Sequence, residues 1–355
     1  MVQNDLLQNA LVNLRRIEVG KKTTQMIKGI AILIMIAHHF IVFSVNSMPY
    51  FIILFGQACK ICVAIYAVLS GYGYFFVNNK TIRYGLKKIW GLLQIYWISL
   101  FTLFIPIAML GGGWKITPWK LVVQMFGLLP NLNWFAWYVF FYIFCMLVMP
   151  LLCKYKAFRF GAFVNLLILL IVPYVCEIIL RFIPNYETNT ILHDLYSCFL
   201  YFPCFLIGYW IAENRVVEKS KKYLENPIVC LIGIVTIYGA RISVTSIVGF
   251  LLDVFYAPII ICCIVNLLEK LDIIVVMRTL KTLGKYSTGM WFFHAVFFST
   301  YVCDWFQPVL KMIPWMPFMF VWLVILSLAG AVVYEKVLKY ASMFVGFIKQ
   351  KISIG

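Results

Sequence analysis

The residues of this sequence best suited to chemistry are one lysine and two histidines in a single apolar segment. Lys28 is followed by nine uncharged residues and then by His38 and His39. In an α-helix, residues eleven apart lie within about 20° of one face and differ in depth by about 16 Å. Lys28 and His39 are therefore predicted to share a face, and His38 is rotated about 80° away from it.

This spacing favours His39 as a general base and Lys28 as the binding point of an anionic group. A neutral imidazole inside a membrane can accept the proton of an attacking hydroxyl, which contributes about 100- to 10,000-fold to a rate. A lysine at the membrane boundary suits a phosphate. The competing interpretation is that His38 and His39 join helices through hydrogen bonds, and spacing alone leaves both open.

Further candidates lie beyond this segment. Ser70 belongs to a small-residue stretch that is typical of close helix packing. Arg83, Lys87 and Lys88 follow Lys80 in one short loop, which is either a topology signal or a phosphate site. The other ionisable residues in apolar segments can each equally be a paired structural group; they are Arg241, Asp253, His294 and Glu335.

The sequence predicts no metal centre and no bound cofactor. Its eleven cysteines lie almost wholly in apolar segments, where cysteine usually behaves as a small hydrophobe. Cys59 and Cys62 form a CxxC pair, but without a second pair or a histidine partner we favour packing over metal binding. The motifs of zinc proteases, serine hydrolases, P-loop proteins and dinucleotide-binding proteins are absent.

The composition indicates an integral membrane protein. Hydrophobic residues make up 64% of the 355 residues and charged residues 12%, against about 45–50% and about 25% in soluble domains. The net charge of +17 is spread over short loops and forms no basic stripe, so we predict no nucleic-acid partner. The first 25 residues lack the apolar core and cleavage site of a signal peptide and are expected in the cytosol.

The fold class predicted from hydropathy is an all-α bundle of about ten transmembrane helices. A spanning helix needs about 20 mostly apolar residues. Ten segments meet this requirement, of which the seventh and eighth are the least distinct: 26–46, 58–77, 89–110, 134–152, 161–182, 196–213, 227–245, 247–268, 283–303 and 317–340. The apolar stretch 119–130 is either an eleventh helix or a re-entrant piece.

The distribution of lysine and arginine predicts that both termini are cytosolic. With the N-terminus inside, 24 of the 30 Lys and Arg residues fall in six cytosolic segments, as the positive-inside rule requires. We therefore predict a cytosolic segment 1–25, one transmembrane domain 26–340 and a cytosolic tail 341–355.

Six stretches of the sequence together resemble one known family. They are Lys28 with His39 as a Lys-x10-His element, Tyr66–Tyr72, Trp137-Tyr138, Tyr201–Tyr209, Leu283–His294 and Tyr334-Glu335-Lys336. In this order they resemble motifs of the acyltransferase 3 family of integral membrane acyltransferases. Members often carry Arg-x-x-Arg ahead of Pro-x-Tyr-Trp in the third helix. Here Lys88 stands at the first arginine, Gly91 at the second and Gln94 at the proline.

The resemblance implies a stand-alone membrane enzyme that transfers an acyl group, in particular acetyl, from a cytosolic acyl-CoA to a hydroxyl of a cell-surface or lipid-linked polysaccharide. Arg83, Lys87 and Lys88 would help Lys28 to bind the donor, with His38, Ser70 and His294 as additional site residues. The expected partners are acyl-CoA, the glycan acceptor and membrane lipid. The expected location is the cell membrane, as a multi-pass protein of the bacterial plasma membrane.

Two other functions fit part of this pattern. A transporter or flippase of a lipid-linked saccharide also needs many helices with buried charges, but such folds often contain internal repeats and broken helices in matching halves. Neither feature is found in this sequence. A membrane sensor or scaffold would have no use for costly buried histidines.

Overall fold

The computed structural model describes residues 20–43, 48–111, 117–128, 132–154, 162–184, 190–271, 273–297 and 305–354. Within these ranges every regular element is a helix, as expected. The α-helices in chain order are α1 Lys21–Val42, α2 Tyr50–Ala58, α3 Cys62–Phe75, α4 Ile82–Ser99, α5 Ile105–Leu110, α6 Pro118–Met125, α7 Trp137–Lys154, α8 Ala162–Arg181, α9 Thr190–Glu213, α10 Val216–Ser220, α11 Pro227–Val248, α12 Asp253–Lys270, α13 Ile274–His294, α14 Gln307–Lys311 and α15 Met316–Ile354.

Seven helical stretches in the described ranges are long and apolar enough to cross a membrane. They are Lys21–Val42, Tyr50–Phe75, Ile82–Leu110, Trp137–Lys154, Ile191–Glu213, Pro227–Val244 and Met316–Tyr340. Helices α8 and α12 coincide largely with the fifth and eighth predicted segments, and α13 overlaps the ninth over residues 283–294. The chain is therefore a multi-pass membrane protein, and the count of ten crossings and the cytosolic termini stay predictions.

Several predicted boundaries differ from the structure. Helix α6, in the stretch 119–130, has 8 residues and is about 12 Å long, too short to cross the roughly 30 Å hydrocarbon core by itself. The ninth predicted segment begins at 283, whereas α13 begins at Ile274 and ends at His294. Helix α15 is 39 residues long in total and ends at Ile354, so it continues through the expected tail 341–355. Gly249, with φ of 61°, forms the tight turn that made the seventh and eighth segments hard to separate.

The two helices that carry His39 and His294 pack against each other at glycines. A Cβ atom at Gly29 of α1 would collide with the Leu280 carbonyl, and one at Gly284 of α13 would collide with the Gln25 carbonyl. Small residues of this kind allow helix backbones to approach closely in membranes. The glycine contact therefore fixes how α1 and α13 are placed along one another.

Helices α1 and α13 run in the same direction. Their glycine contact and their histidine contact each lie ten residues apart in sequence, from Gly29 to His39 and from Gly284 to His294. Ten residues rise about 15 Å in a helix, so both histidines reach the same depth. The ten-span prediction also requires this parallel arrangement, because the first and ninth spans, both odd-numbered, cross the membrane in the same direction.

Candidate active site

One large cavity inside the bundle contains most of the residues singled out from the sequence. Its volume is about 1170 Å³, above the range of about 300–1,000 Å³ usual for small-molecule sites. The predicted site residues that line it are Lys28, His38, His39, Ser70, Lys87 and Lys88. A long substrate can therefore extend between the cationic region of the cavity and the two histidines.

The cationic region lies about 16 Å along α1 from His39. Lys88 is close enough to Lys28 for the two charges to interact, and Lys87 lines the cavity beside them. The Tyr66 hydroxyl donates a hydrogen bond to the Lys28 carbonyl at 3.1 Å, which connects α3 to α1. Three cations thus surround one part of a cavity whose other part holds imidazoles.

Arg83 is not brought into this group. It is exposed near the start of α4 and is not among the residues that line the cavity. Gly91, the position of the second arginine in the family pattern, does line the cavity. A Cβ atom at Gly91 would meet no atom within 4 Å, so the missing arginine leaves open space beside Lys88.

His39 is held by a second histidine and by an aromatic ring. Its Nδ1 lies 2.6 Å from Nε2 of His294, and its ring stacks on Phe135 with centroids 3.8 Å apart. Phe135 comes from the 3-10 helix Trp134–Ala136, which immediately precedes α7. The sequence offered no carboxylate partner for His39, and in the structure this place is taken by an imidazole.

The hydrogen bonds of His294 determine which nitrogen of His39 carries the proton. His294 Nδ1 lies 3.1 Å from the Met290 carbonyl, and a carbonyl only accepts, so Nδ1 carries hydrogen. The membrane interior favours the neutral form, which leaves His294 Nε2 as an acceptor. His39 must then donate from Nδ1 and keep an unprotonated Nε2, the state that a general base requires.

His38 makes a different contact. Its Nδ1 donates to the Gly56 carbonyl at 2.7 Å, which joins α1 to the C-terminal part of α2. Both His38 and His39 are only 8% exposed and both line the cavity. Both bonds join α1 to another helix, as the helix-joining interpretation has it, but the bond of His39 is to another titratable side chain.

Several family-like stretches prove to pack the bundle. Ser70 donates to the Tyr66 carbonyl within α3 at 2.8 Å. Tyr96 and Trp97 of α4 donate to carbonyls of α6 at 2.7 and 2.8 Å. Lys285 and Glu335 form an exposed ion pair between α13 and α15 at 3.3 Å. The α4 and α13 contacts place helices around the cavity, whereas the Ser70 bond stays within α3.

Sequence reasoning missed Lys60, which also lines the cavity. It was counted only among the six lysines and arginines outside the cytosolic segments. A signal was available, because Lys60 is the only charged residue between His39 and Lys80. Isolated charges in apolar segments are functional candidates.

Arg241 and Asp253 form a buried ion pair, which agrees with the interpretation that they are paired structural groups. Arg241 Nε and NH2 lie 2.7 and 2.9 Å from the two Asp253 carboxylate oxygens. Across the described parts of the chain, no three His, Cys, Asp or Glu side chains come together in a way that could hold a metal ion.

The geometry defines a multi-pass membrane protein with an internal cavity bounded by lysines and a paired histidine. The acyltransferase domain of the acyltransferase 3 family matches residues 25–333, nearly the whole chain. The chain therefore belongs to the acyltransferase 3 family and is a membrane acyltransferase. No match was found to a curated protein or to a solved structure.

Proposed function

We propose that the protein is an O-acyltransferase that transfers an acetyl group from cytosolic acyl-CoA to a hydroxyl of a cell-surface or lipid-linked polysaccharide. The observation that carries this proposal is the single cavity that contains both Lys28 and His39. The phosphates of a long anionic donor pair with Lys28, Lys87 and Lys88. Its thioester then extends toward the imidazole about 16 Å away along α1.

His39 acts as the general base of this reaction. Its Nε2 takes the proton of the acceptor hydroxyl while that oxygen attacks the thioester carbonyl carbon. The tetrahedral intermediate collapses by breaking the carbon–sulfur bond, and the CoA thiolate leaves. The imidazolium then returns its proton to the thiolate, so an ester and free CoA are formed and His39 is regenerated.

His294 is a positioning residue in this scheme. It accepts the Nδ1 hydrogen of His39 and stabilises the imidazolium that forms when Nε2 is protonated, as the orienting residue of a catalytic triad does. Phe135 supports the ring of His39 by stacking. The base is therefore oriented before the substrate arrives, which lowers the cost of reaching the transition state.

Acetyl-CoA turnover separates an enzyme from a transporter of lipid-linked saccharide. Purified protein in lipid vesicles is given radiolabelled acetyl-CoA and acceptor membranes. We expect saturable donor binding and release of one free CoA for each acetyl ester formed. Movement of the saccharide across the vesicle membrane without donor binding or CoA release would favour the transporter instead.

Mass spectrometry of surface polysaccharide identifies the acceptor. A deletion strain is compared with the parent and with a strain that expresses the His39→Ala variant. We expect a mass increment of one acetyl group per modified residue in the parent and its loss in both other strains. An unchanged polysaccharide in the deletion strain would contradict a polysaccharide acceptor.

A further inference from the structure

Lys60 lies at a local change of helix type in the second membrane-spanning stretch. Within Tyr50–Phe75, the 3-10 turn Cys59–Ile61 stands between α2 and α3. Lys60 belongs to this turn, lines the cavity and places its Nζ 4.2 Å from the centroid of the Phe250 ring. A short 3-10 stretch inside a longer helix often marks a functional hinge or local strain.

The charge of Lys60 is not balanced by an ion pair. Among the described residues no carboxylate oxygen lies within 4.0 Å of its Nζ. Asp253 is engaged by Arg241, and the buried Asp194, which also lines the cavity, has an interaction of its own. An ammonium group in a membrane interior is costly unless an anion approaches it.

Arg241 holds the 3-10 turn in place. It is 1% exposed, and its Nη1 donates to the Gln57 and Ala58 carbonyls at 3.1 and 2.7 Å. These carbonyls belong to the C-terminal end of α2, where a cation also complements the helix dipole. The bidentate bond to Asp253 fixes Arg241 in turn, so Lys60 is presented on a rigid support.

Lys60 and the three donor-binding lysines occupy different parts of the cavity. His38 donates to the carbonyl of Gly56, four residues before Lys60, which places Lys60 beside the histidines, whereas Lys28 lies about 16 Å from His39 along α1. A thioester that reaches His39 has its phosphates at the Lys28 region. The space beside Lys60 and Phe250 is thus left for the second substrate.

We propose that Lys60 and Phe250 form an acceptor subsite that selects a saccharide with a negatively charged group, a carboxylate or a phosphate, close to the hydroxyl to be acylated. This inference rests on the proposed function, because it assigns the second substrate of the same reaction. The ammonium pairs with the anion, and Phe250, which also lines the cavity, holds the ammonium in place through its cation–π contact. Acidic sugars and lipid-linked sugar phosphates supply the same chemistry.

Binding of matched glycosides to the full-length purified protein tests the subsite. The probes are hexyl glucoside, hexyl glucuronide and hexyl glucoside 6-phosphate, titrated with CoA at saturation so that the donor region is occupied. We expect at least tenfold tighter binding of one or both anionic probes than of the neutral probe. Which anionic probe gains more distinguishes a carboxylate from a phosphate.

Substitutions at Lys60 assign the preference to its charge. We expect Lys60→Met to abolish the preference for anionic probes and Lys60→Arg to retain it. Lys311→Met is the matched control, because Lys311 is exposed on α14 and does not line the cavity; its preference should equal that of the wild type. CoA affinity, measured separately, should be unchanged in all three variants.

Two results would overturn the proposal. One is equal affinity for neutral and anionic probes in the wild type, including no binding of any probe. The other is a preference that persists in Lys60→Met. If the wild type fails to bind CoA, the proposed function fails, while the comparison of probes between wild type and Lys60→Met still decides the subsite.

Discussion

Replacing His294 with phenylalanine tests whether one imidazole orients another. Phenylalanine keeps a planar ring beside His39, whose ring is nearly parallel to that of His294, at 9° and 4.9 Å. It removes the nitrogen that accepts the Nδ1 hydrogen of His39 at 2.6 Å. The variant therefore leaves a buried N–H without its partner while the packing is largely kept.

The size of the effect follows from that lost hydrogen bond. A buried donor without a partner costs about 1–3 kcal/mol, and each 1.4 kcal/mol corresponds to about a factor of ten. The tautomer of His39 with a free Nε2 loses stability by this amount relative to the alternative tautomer. We therefore expect kcat to fall by about 5- to 150-fold, with little change in the affinity for CoA, whose phosphates bind near Lys28.

The assay is CoA release from acetyl-CoA with acceptor membranes, at saturating donor. His294→Gln is the matched control, because its amide oxygen can accept the same hydrogen bond while it also lacks the Nδ1 bond to the Met290 carbonyl. We expect His294→Gln to keep most of the activity. Wild-type kcat in His294→Phe, or equal losses in both variants, would refute the orienting role.

Three further predictions concern the cavity and the packing around it. Gly91→Arg adds a cation in open space, so equilibrium dialysis should show about tenfold tighter CoA binding; unchanged affinity would count against the donor site. Gly284→Ala should lower the free energy of unfolding by about 1–3 kcal/mol and lower the melting temperature, whereas Gly239→Ala, with nothing within 4 Å of its Cβ, should melt like the wild type. Arg241→Met leaves Asp253 buried without its partner and should lower the free energy of unfolding by about 3–5 kcal/mol. The melting temperature should fall accordingly, and a variant that melts at the wild-type temperature would contradict this.

The architecture could be predicted from hydropathy because apolar length and helical crossing are directly linked. All ten predicted segments contain described helix. Boundaries were less accurate where charges enter a helix: α13 carries Arg278 and Lys281, which lie before the ninth segment predicted from hydropathy. The extension of α15 beyond 340 was also missed, because its polar residues are as compatible with helix as with an aqueous tail.

Helical spacing could predict the candidate site only within α1, whereas Ser70, Lys87 and Lys88 were candidates from small-residue packing, loop charge and the family resemblance. The shared face of Lys28 and His39 follows from periodicity, and both residues do line one cavity. The partner of His39 comes from a helix 255 positions away in sequence, and single-sequence periodicity holds no information on which helices touch. The matching offsets from Gly29 and Gly284 become meaningful only once α1 and α13 are known to be neighbours.

Alanine variants of the two adjacent histidines test directly which imidazole is the base, with acetyl transfer and CoA binding measured on the same purified samples. We expect His39→Ala to transfer acetyl at least 100-fold more slowly than the wild type, with unchanged CoA affinity. We expect His38→Ala, which loses only the bond to the Gly56 carbonyl, to stay within tenfold of the wild type. Wild-type transfer by His39→Ala together with loss of transfer in His38→Ala would contradict the assignment of the base.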